Sequence, residues 1–442
     1  MNNQLAREFH TASLLKFTLP SMIMMLFMSL YQMVDAVFVS NFVSETALSA
    51  LNIVYPLISF VIAVSIMLAT GGSAVIAKKM GEGQQELARR LFSMVVLIGI
   101  LFGIVMTLVD ALFTRPLIHL MGSTPALDPY CYEYLHTLML FSPFAVLQLL
   151  FQTFFITAGR PHLGLTVTVL AGIANIFFDF LFIVVLPLGV KGAAYGTAIG
   201  YCIPAIFGLI FFFVDRRGSL FFVKPVFDAP TLGHICANGS SEMVTNLSNA
   251  VTTFFFNLTM LHYLGEAGVA AITIALYAQW LLTSVYFGFS SGVAPIFSYN
   301  HGCQNHVQLH RIFTISIRFV AVSAIGVLLF ALLCCDALIS VFVSLSGEVF
   351  SITSSGFKLF AISFLFVGIN VFSSGMFTAL SNGKVSAIIS FLRTFVFLLL
   401  SMLLLPLVFD VNGIWLAVPL AELLTMGVSI FYFVRLRKVY HY

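Results

Sequence analysis

Charge is scarce in this sequence. Only 8% of its 442 residues are Asp, Glu, Lys or Arg, where a soluble domain carries about 25%, so no water-facing globule can be built from it. Strict alternation of polar and apolar residues is missing too, which excludes a spanning β-barrel. No GxxxxGK[ST] loop occurs, and ATP is therefore not expected as a fuel. The six cysteines (Cys131, Cys202, Cys236, Cys303, Cys334 and Cys335) include no CxxC pair and read as inert packing residues. His119, His136, His162, His262 and the group His301, His306 and His310 share no metal-ligand spacing, so no metal centre and no cofactor are assigned. Asn-x-Ser/Thr at Asn238, Asn246 and Asn257 falls within or at the start of a predicted span and is a chance match.

What the chain has in quantity is apolar sequence, with 60% hydrophobic residues and a mean hydropathy of +1.06. Lipid forces each backbone polar group to find its partner inside the segment, so continuous runs of roughly 20 apolar residues read as spanning helices. Breaks at Gly, Pro and charge place twelve of them, at about 14–40, 50–77, 91–114, 130–157, 162–186, 192–215, 232–262, 267–296, 311–335, 352–380, 384–409 and 413–437. The expected fold class is an all-α polytopic membrane protein. The first segment reads as a signal anchor, without a small-residue cleavage site after it.

Basic residues orient the spans. With the N-terminus taken as cytoplasmic, sixteen of the 20 Lys and Arg fall at one set of ends (Arg7, Lys16, Lys78, Lys79, Arg89, Arg90, Arg160, Arg216, Arg217, Lys224, Arg311, Arg318, Lys384, Arg435, Arg437 and Lys438). Arg115, Lys191 and Lys358 fall at the other, and Arg393 lies inside a span. This asymmetry predicts both termini in the cytoplasm of a cell (inner or plasma) membrane. The net charge of +3 thus reports topology, and no nucleic acid is expected as a partner.

An internal repeat is visible. Gly71 to Gly81 (GGSAVIAKKMG) and Gly292 to Gly302 (GVAPIFSYNHG) each close a span at an offset of 221 residues, and Gly192 and Gly413 share that offset. Gly159-Arg160 and Gly383-Lys384 precede the fifth and eleventh spans. Two six-helix bundles related by a pseudo-twofold along the membrane normal are therefore expected, over residues 1–214 and 231–442. Residues 215–230 (DRRGSLFFVKPVFDAP) read as a cytoplasmic linker that lets the bundles rock.

Carboxylates inside spans are costly and point to function. Asp35 in span 1 and Asp179 in span 5 are predicted roughly 9 and 12 Å below the outer face. Asn175 lies one turn before Asp179, and Thr197 enters span 6 to roughly 8 Å. Four oxygen-bearing side chains thus arrive at one depth with no basic residue predicted nearby, a set suited to Na⁺ or to a proton. In the second half Phe256 and Val418 stand at the positions equivalent to Asp35 and Thr197, so coupling is expected in the first bundle alone. Glu242 and Glu422 lie near mid-depth, as does Arg393. An Arg393–Glu422 salt bridge is one reading of that pair; a substrate contact is the other. Glu242 has no evident partner and is the preferred contact for a cationic substrate. Pro20 can kink the helix that carries Asp35, and the run Gly192, Gly196, Gly200 permits close helix packing.

Several ordered strings resemble one family. Leu19-Pro20 followed by Asp35, Met80-Gly-Glu-Gly83, Ala158-Gly159-Arg160-Pro161, Asn175-Ile-Phe-Phe-Asp179, and Leu188-Gly-Val-Lys-Gly-Ala-Ala194 with Thr197 are similar to the N-terminal half of the MATE (multidrug and toxic compound extrusion) family. Pro295-Ile-Phe-Ser-Tyr-Asn-His-Gly302, and Asn370 through Ala379-Leu-Ser-Asn-Gly-Lys384 with Arg393, are similar to its bacterial MepA- and DinF-like branch. The resemblance implies a V-shaped pair of bundles, a monomer that exports cationic, often aromatic small molecules against Na⁺ or H⁺. It implies a cation site at Asp35, Asn175, Asp179 and Thr197; the residues expected at a substrate cavity are Glu242, Asn370, Arg393 and Glu422. Departures are Phe180, where the family often has proline, and Asn370, where some members carry an acid. Two alternatives remain: a lipid-linked sugar flippase of the same superfamily, which needs a basic cavity, and a membrane-embedded enzyme, which needs a converging acid–base motif.

Overall fold

The computed structural model describes residues 4–43, 45–344 and 347–442, which are helical almost throughout, with no strand among them. Fifteen α-helices follow in order: α1 Thr11–Phe42, α2 Glu45–Gly81, α3 Gln85–Leu120, α4 Asp128–Leu140, α5 Ser142–Thr157, α6 Pro161–Asp179, α7 Gly189–Val214, α8 Ala229–Gly302, α9 His306–Leu333, α10 Cys335–Ser340, α11 Glu348–Phe360, α12 Phe364–Ala379, α13 Gly383–Phe391, α14 Leu398–Leu404 and α15 Pro406–Tyr440.

Ten helical segments are long and apolar enough to cross a membrane, and the pair α4–α5, bent by 55° at Phe141, makes an eleventh. The twelfth is inside α8, whose 74 residues would span roughly 110 Å if straight. It breaks at Gly265 (φ 64°, ψ −154°), a backbone region that is essentially closed to residues with a Cβ. The predicted boundary between the seventh and eighth spans brackets this glycine. Similarly, Asp410 (φ 48°, ψ −132°) breaks α15 between the predicted eleventh and twelfth spans.

The surface explains why the sequence can dispense with charge. Leu112, Phe213, Leu333 and Leu407 are all largely exposed, a pattern that only a lipid environment makes favourable over so many positions. Small and hydroxylated side chains are turned inward instead: Ser21, Ser65, Thr168, Ser298, Ser373 and Thr425 are buried. Without a hydrophobic drive between helices in lipid, such residues allow close approach and interhelical hydrogen bonds.

α1–α7 pack as one bundle and α8–α15 as another, and they meet where α1 and α2 run along α8. At the end that carries the basic loops, the approach is backbone to backbone. A Cβ on Gly81 would overlap the Tyr299 carbonyl oxygen, and one on Gly302 would overlap that of Lys78. Lys78 and Tyr299, like Gly81 and Gly302, stand 221 residues apart, so one contact is the pseudo-twofold image of the other. Deeper in, Gly71 packs on the Ile235 carbonyl and Gly239 on that of Met67, while Gly288 and Gly292 receive Ser21, Met22 and Thr18 of α1. Four of the glycines that mark the repeat in the sequence, Gly71, Gly81, Gly292 and Gly302, therefore lie in the seam that closes the basic end.

The segment 215–228 is anchored over its first part. Gln85 and Arg89 donate to the Ser219 carbonyl, Ser219 Oγ donates to the Ala158 carbonyl (3.2 Å), and the Val223 amide donates to Ser93 Oγ (3.0 Å). Leu220 is buried, and the Phe222 ring stacks on Phe92 at 5.2 Å. Within the segment read as a linker, residues 215–223 are thus strapped to the first bundle.

If the glycine seam sets the closed state, Gly81→Val will force the Lys78 and Tyr299 backbones apart. Spin labels at the basic ends of α2 and α8 are expected to show a longer, broader distance distribution than in the native chain. An unchanged distribution would show that the seam is incidental.

Candidate cation site

α1 delivers Asp35 and α6 delivers Asn175 and Asp179, the latter two one helical turn apart and hence on one face. Asn175 Nδ2 donates to Asp179 Oδ2 at 3.4 Å. The Asp35 side chain comes within hydrogen-bonding reach of both Asp179 and Asn175. The two acids predicted at one depth therefore meet. Asn175 and Asp179 are buried, and one oxygen of each of the three side chains (Oδ1 of Asp35, Asn175 and Asp179) is enclosed without a hydrogen-bond partner. No Lys or Arg among the described residues forms an ion pair with either acid.

Local backbone makes the placement possible. α6 ends at Asp179 and passes into a π-helical turn, Phe180–Val185, a widened coil that re-aims side chains and recurs at functional sites. Across from it, Gly196 of α7 faces the carboxylate: a Cβ there would overlap Asp179 Oδ1, and Gly200 packs on Asn175 in the same way, though less tightly. The small-residue stripe expected to serve packing alone is thus one wall of the acid cluster. Thr197, the fourth predicted member, is half-buried on the neighbouring face of α7. Among the described hydrogen bonds, none joins its hydroxyl to the other three.

Four tyrosines missed by the sequence reading surround the cluster. Tyr31, one turn before Asp35, is in hydrogen-bonding reach of Gln148 and in electrostatic range of Asp35. Tyr134 lies in such range of both acids, and Tyr201 of Asp35. Tyr55 lies near Tyr134 and Tyr201. Only Tyr31 left a trace in the sequence, through its i, i+4 spacing to Asp35; the others come from α2, α4 and α7 and converge through tertiary packing.

The second bundle is built differently. Arg393 places Nη2 2.7 Å and Nε 2.8 Å from Glu422 Oε1, and Asn370 Nδ2 donates to Glu422 Oε2 at 2.7 Å. Ser429 Oγ completes the chain by donating to Asn370 Oδ1 at 3.0 Å. Arg393 also sits in a π-helical turn, Leu392–Phe397, so each bundle carries a charged residue at a π turn of its fifth helix, acidic in one and basic in the other. Glu242, expected to lack a partner, lies in electrostatic range of Arg393 and in hydrogen-bonding reach of Ser374. The sequence reading also passed over Asp110, which is buried at the far end of α3 with His136 Nδ1 2.8 Å from Oδ2.

The MatE family profile matches residues 20–181 and 243–403, once in each bundle. The multidrug export protein MepA of Staphylococcus saprophyticus is 22% identical over 405 residues, covering 91% of this chain and 87% of that protein. MepA of Staphylococcus aureus is 24% identical over 415 residues with the same coverage. Among solved structures, an outward-facing multidrug resistance MATE family transporter of the MOP superfamily superposes with a TM-score of 0.92, at 20% identity over 99% of this chain and 98% of that one.

Because the Arg393–Glu422 pair is buried, removing one partner leaves a charge without compensation. Arg393→Met is expected to cost about 3–5 kcal/mol of stability, whereas the double change Arg393→Met with Glu422→Gln recovers most of it. Thermal unfolding of the single and double variants gives the coupling; strict additivity would refute the pair.

Proposed function

This chain belongs to the MatE family, and we propose that it couples the export of small, often aromatic organic cations to the entry of Na⁺ or H⁺ by alternating access. It is a multi-pass membrane transporter of the multidrug efflux class and not an enzyme. The observation that carries the coupling proposal is the meeting of Asp35, Asn175 and Asp179 with three enclosed, unpartnered oxygens and no fixed cation.

Hard monovalent cations seek clustered oxygens, and a proton seeks carboxylates held close together in a poorly solvated site. Either ion offsets the repulsion that Asp35 and Asp179 otherwise impose on α1 and α6. In the cycle proposed here, the ion enters from the outer side, binds at this cluster and biases the first bundle; the drug leaves outward between the bundles. One charge moving through 100 mV supplies about 2.3 kcal/mol, roughly a fiftyfold gradient, so one or two ions suffice. Thr197 would join the cation shell only by a small rotation of its side chain or of α7.

The phenols of Tyr31, Tyr134 and Tyr201 beside two carboxylates favour an organic cation, since aromatic faces and acids both attract positive charge. Arg393, the one base predicted inside a span, is bound to Glu422 and leaves little free positive charge for a pyrophosphate, which weighs against the flippase reading. The basic loops are assigned to the cytoplasm of the plasma membrane, with both termini there, by the bias of Lys and Arg. The closed glycine seam then faces inward and the arrangement is outward-facing. We further assign a monomer that needs no cofactor beyond its coupling ion.

Asp35→Asn and Asp179→Asn are each expected to lower uphill efflux of a fluorescent organic cation by at least tenfold while the protein still inserts and folds. Efflux equal to the native rate in both variants would remove the coupling role. Calorimetric titration of purified protein identifies the ion. If Na⁺ is the partner, its binding heat weakens as pH falls, because protons compete for the same carboxylates, and it vanishes in Asp179→Asn. Proton uptake without any Na⁺ heat assigns H⁺ instead.

A further inference from the structure

A cavity of about 430 Å³ opens at the basic end of the molecule, away from the acid cluster. This volume lies within the roughly 300–1,000 Å³ typical of small-ligand sites. Its wall is shared by six segments: Gln4 from the N-terminal stretch, Met80 at the end of α2, Gln85 at the start of α3, Arg160 and His162 at the start of α6, Arg217 from the anchored linker, and Tyr299 from α8. Tyr299 brings the second bundle into a wall otherwise built by the first bundle and the linker.

The electrostatics of this wall are one-sided. Arg160 is paired with Asp215 at 3.1 Å, and the second oxygen of Asp215 accepts the Arg217 amide at 3.2 Å. Asp215 is thereby committed to its neighbours. The Arg217 guanidinium makes no ion pair or side-chain hydrogen bond among the described residues, and neither does the His162 ring. α3 and α6 both begin at the cavity without a side-chain cap, and each contributes the positive end of a helix dipole. α6 opens with Pro161, which has no N–H, and the Leu163 amide donates to the Arg160 carbonyl at 3.0 Å, so the amide α6 has free there is that of His162. Guanidinium donors beside the uncapped helix starts and the free His162 amide match the tetrahedral oxygens of phosphate better than a carboxylate or a neutral ligand.

We propose that this cavity is a binding site for a phosphate group, held by Arg217 with Arg160, the His162 amide and the Tyr299 hydroxyl. The group can arrive by two routes, as the headgroup of an anionic phospholipid from the adjoining leaflet or as free phosphate from the aqueous phase. Basic residues at this end of the spans lie at headgroup level, which makes both routes open to it.

The full-length protein, purified in a neutral detergent and delipidated, should be titrated separately with inorganic phosphate, short-chain phosphatidylglycerol and, as a phosphate-free control, short-chain diacylglycerol. Saturable binding of at least one phosphate compound and none of the control is expected. Binding of phosphate alone assigns a soluble anion; binding of phosphatidylglycerol alone assigns a lipid site. Arg217→Gln should weaken the affinity about tenfold and Tyr299→Phe severalfold, while Arg216→Gln, whose guanidinium lies over Phe213 and not in the cavity wall, should leave it unchanged. Two results overturn the proposal: no saturable binding of either phosphate compound, or equal losses in Arg217→Gln and Arg216→Gln, which would reduce the effect to general surface charge. Because the readout is binding and not efflux, it stands apart from the coupling mechanism.

Discussion

Two carboxylates in contact away from water are the constraint on which this architecture turns. Like charges about 4 Å apart repel by about 4 kcal/mol at an effective dielectric of 20, and the desolvation of each adds several more. Asp35 and Asp179 cannot both stay ionised and in contact without a positive charge arriving from outside. The site therefore has two states of different energy, and the difference can be spent on moving α1 against α6. α1 is also the helix whose other half lies in the seam, where Thr18, Ser21 and Met22 rest on Gly292 and Gly288 of α8. Thr18 and Asp35 are separated by roughly 26 Å along the helix. One continuous helix thus touches both the acid cluster and the glycine seam, which gives the proposed coupling a physical route between them and not mere proximity.

How much of this could be read from residues alone depended on the range of the interaction. Spanning helices were legible because hydropathy is a local property, and the breaks at Gly265 and Asp410 fall where the apolar runs are interrupted. Asp35, Asn175 and Asp179 were legible because a buried acid is costly at any position in a span, and their common depth follows from counting residues. The tyrosines were not legible. Tyr55, Tyr134 and Tyr201 carry no charge to make them unusual in a span, and only packing of α4 and α7 brings Tyr134 and Tyr201 to the acids, with Tyr55 of α2 beside those two rings. The role of Gly196 was hidden for a related reason: a glycine stripe signals close approach without naming what approaches. Asp110 escaped notice because its place near a predicted helix end suggested water, whereas the structure buries it against His136.

The two bundles repeat one backbone but diverge in charge. Each has a π turn in its fifth helix, with Asp179 at one and Arg393 in the other. In the first bundle the acids lack a counter-charge; in the second Arg393 supplies one to Glu422 and approaches Glu242. The coil widening recurs in both bundles, and the side chains around it decide whether the carboxylates are left without a counter-charge or held in a closed network. The offset of 221 residues reported the repeat and, through Phe256 and Val418, the lack of a matching acid in the second bundle, but Glu242 looked isolated until packing brought Arg393 into electrostatic range of it.

The anchored linker narrows how the bundles can move. With residues 215–223 held by Gln85, Arg89, Ser93 and Ala158, and the chain entering α8 at Ala229 with Asp228 capping Thr231, adjustable backbone is confined to the few residues between. A short tether of this kind permits a rotation about a nearby axis but opposes wide separation. The seam imposes a matching condition from the other side: backbone carbonyls seated on glycines fit in one register, and a small tilt loses several contacts at once. Packed interfaces of this sort switch between discrete arrangements and do not deform gradually. In the proposed cycle, a tether that opposes drift, joined to a seam that favours closure or release, would turn an electrostatic bias in one bundle into a two-state motion of both.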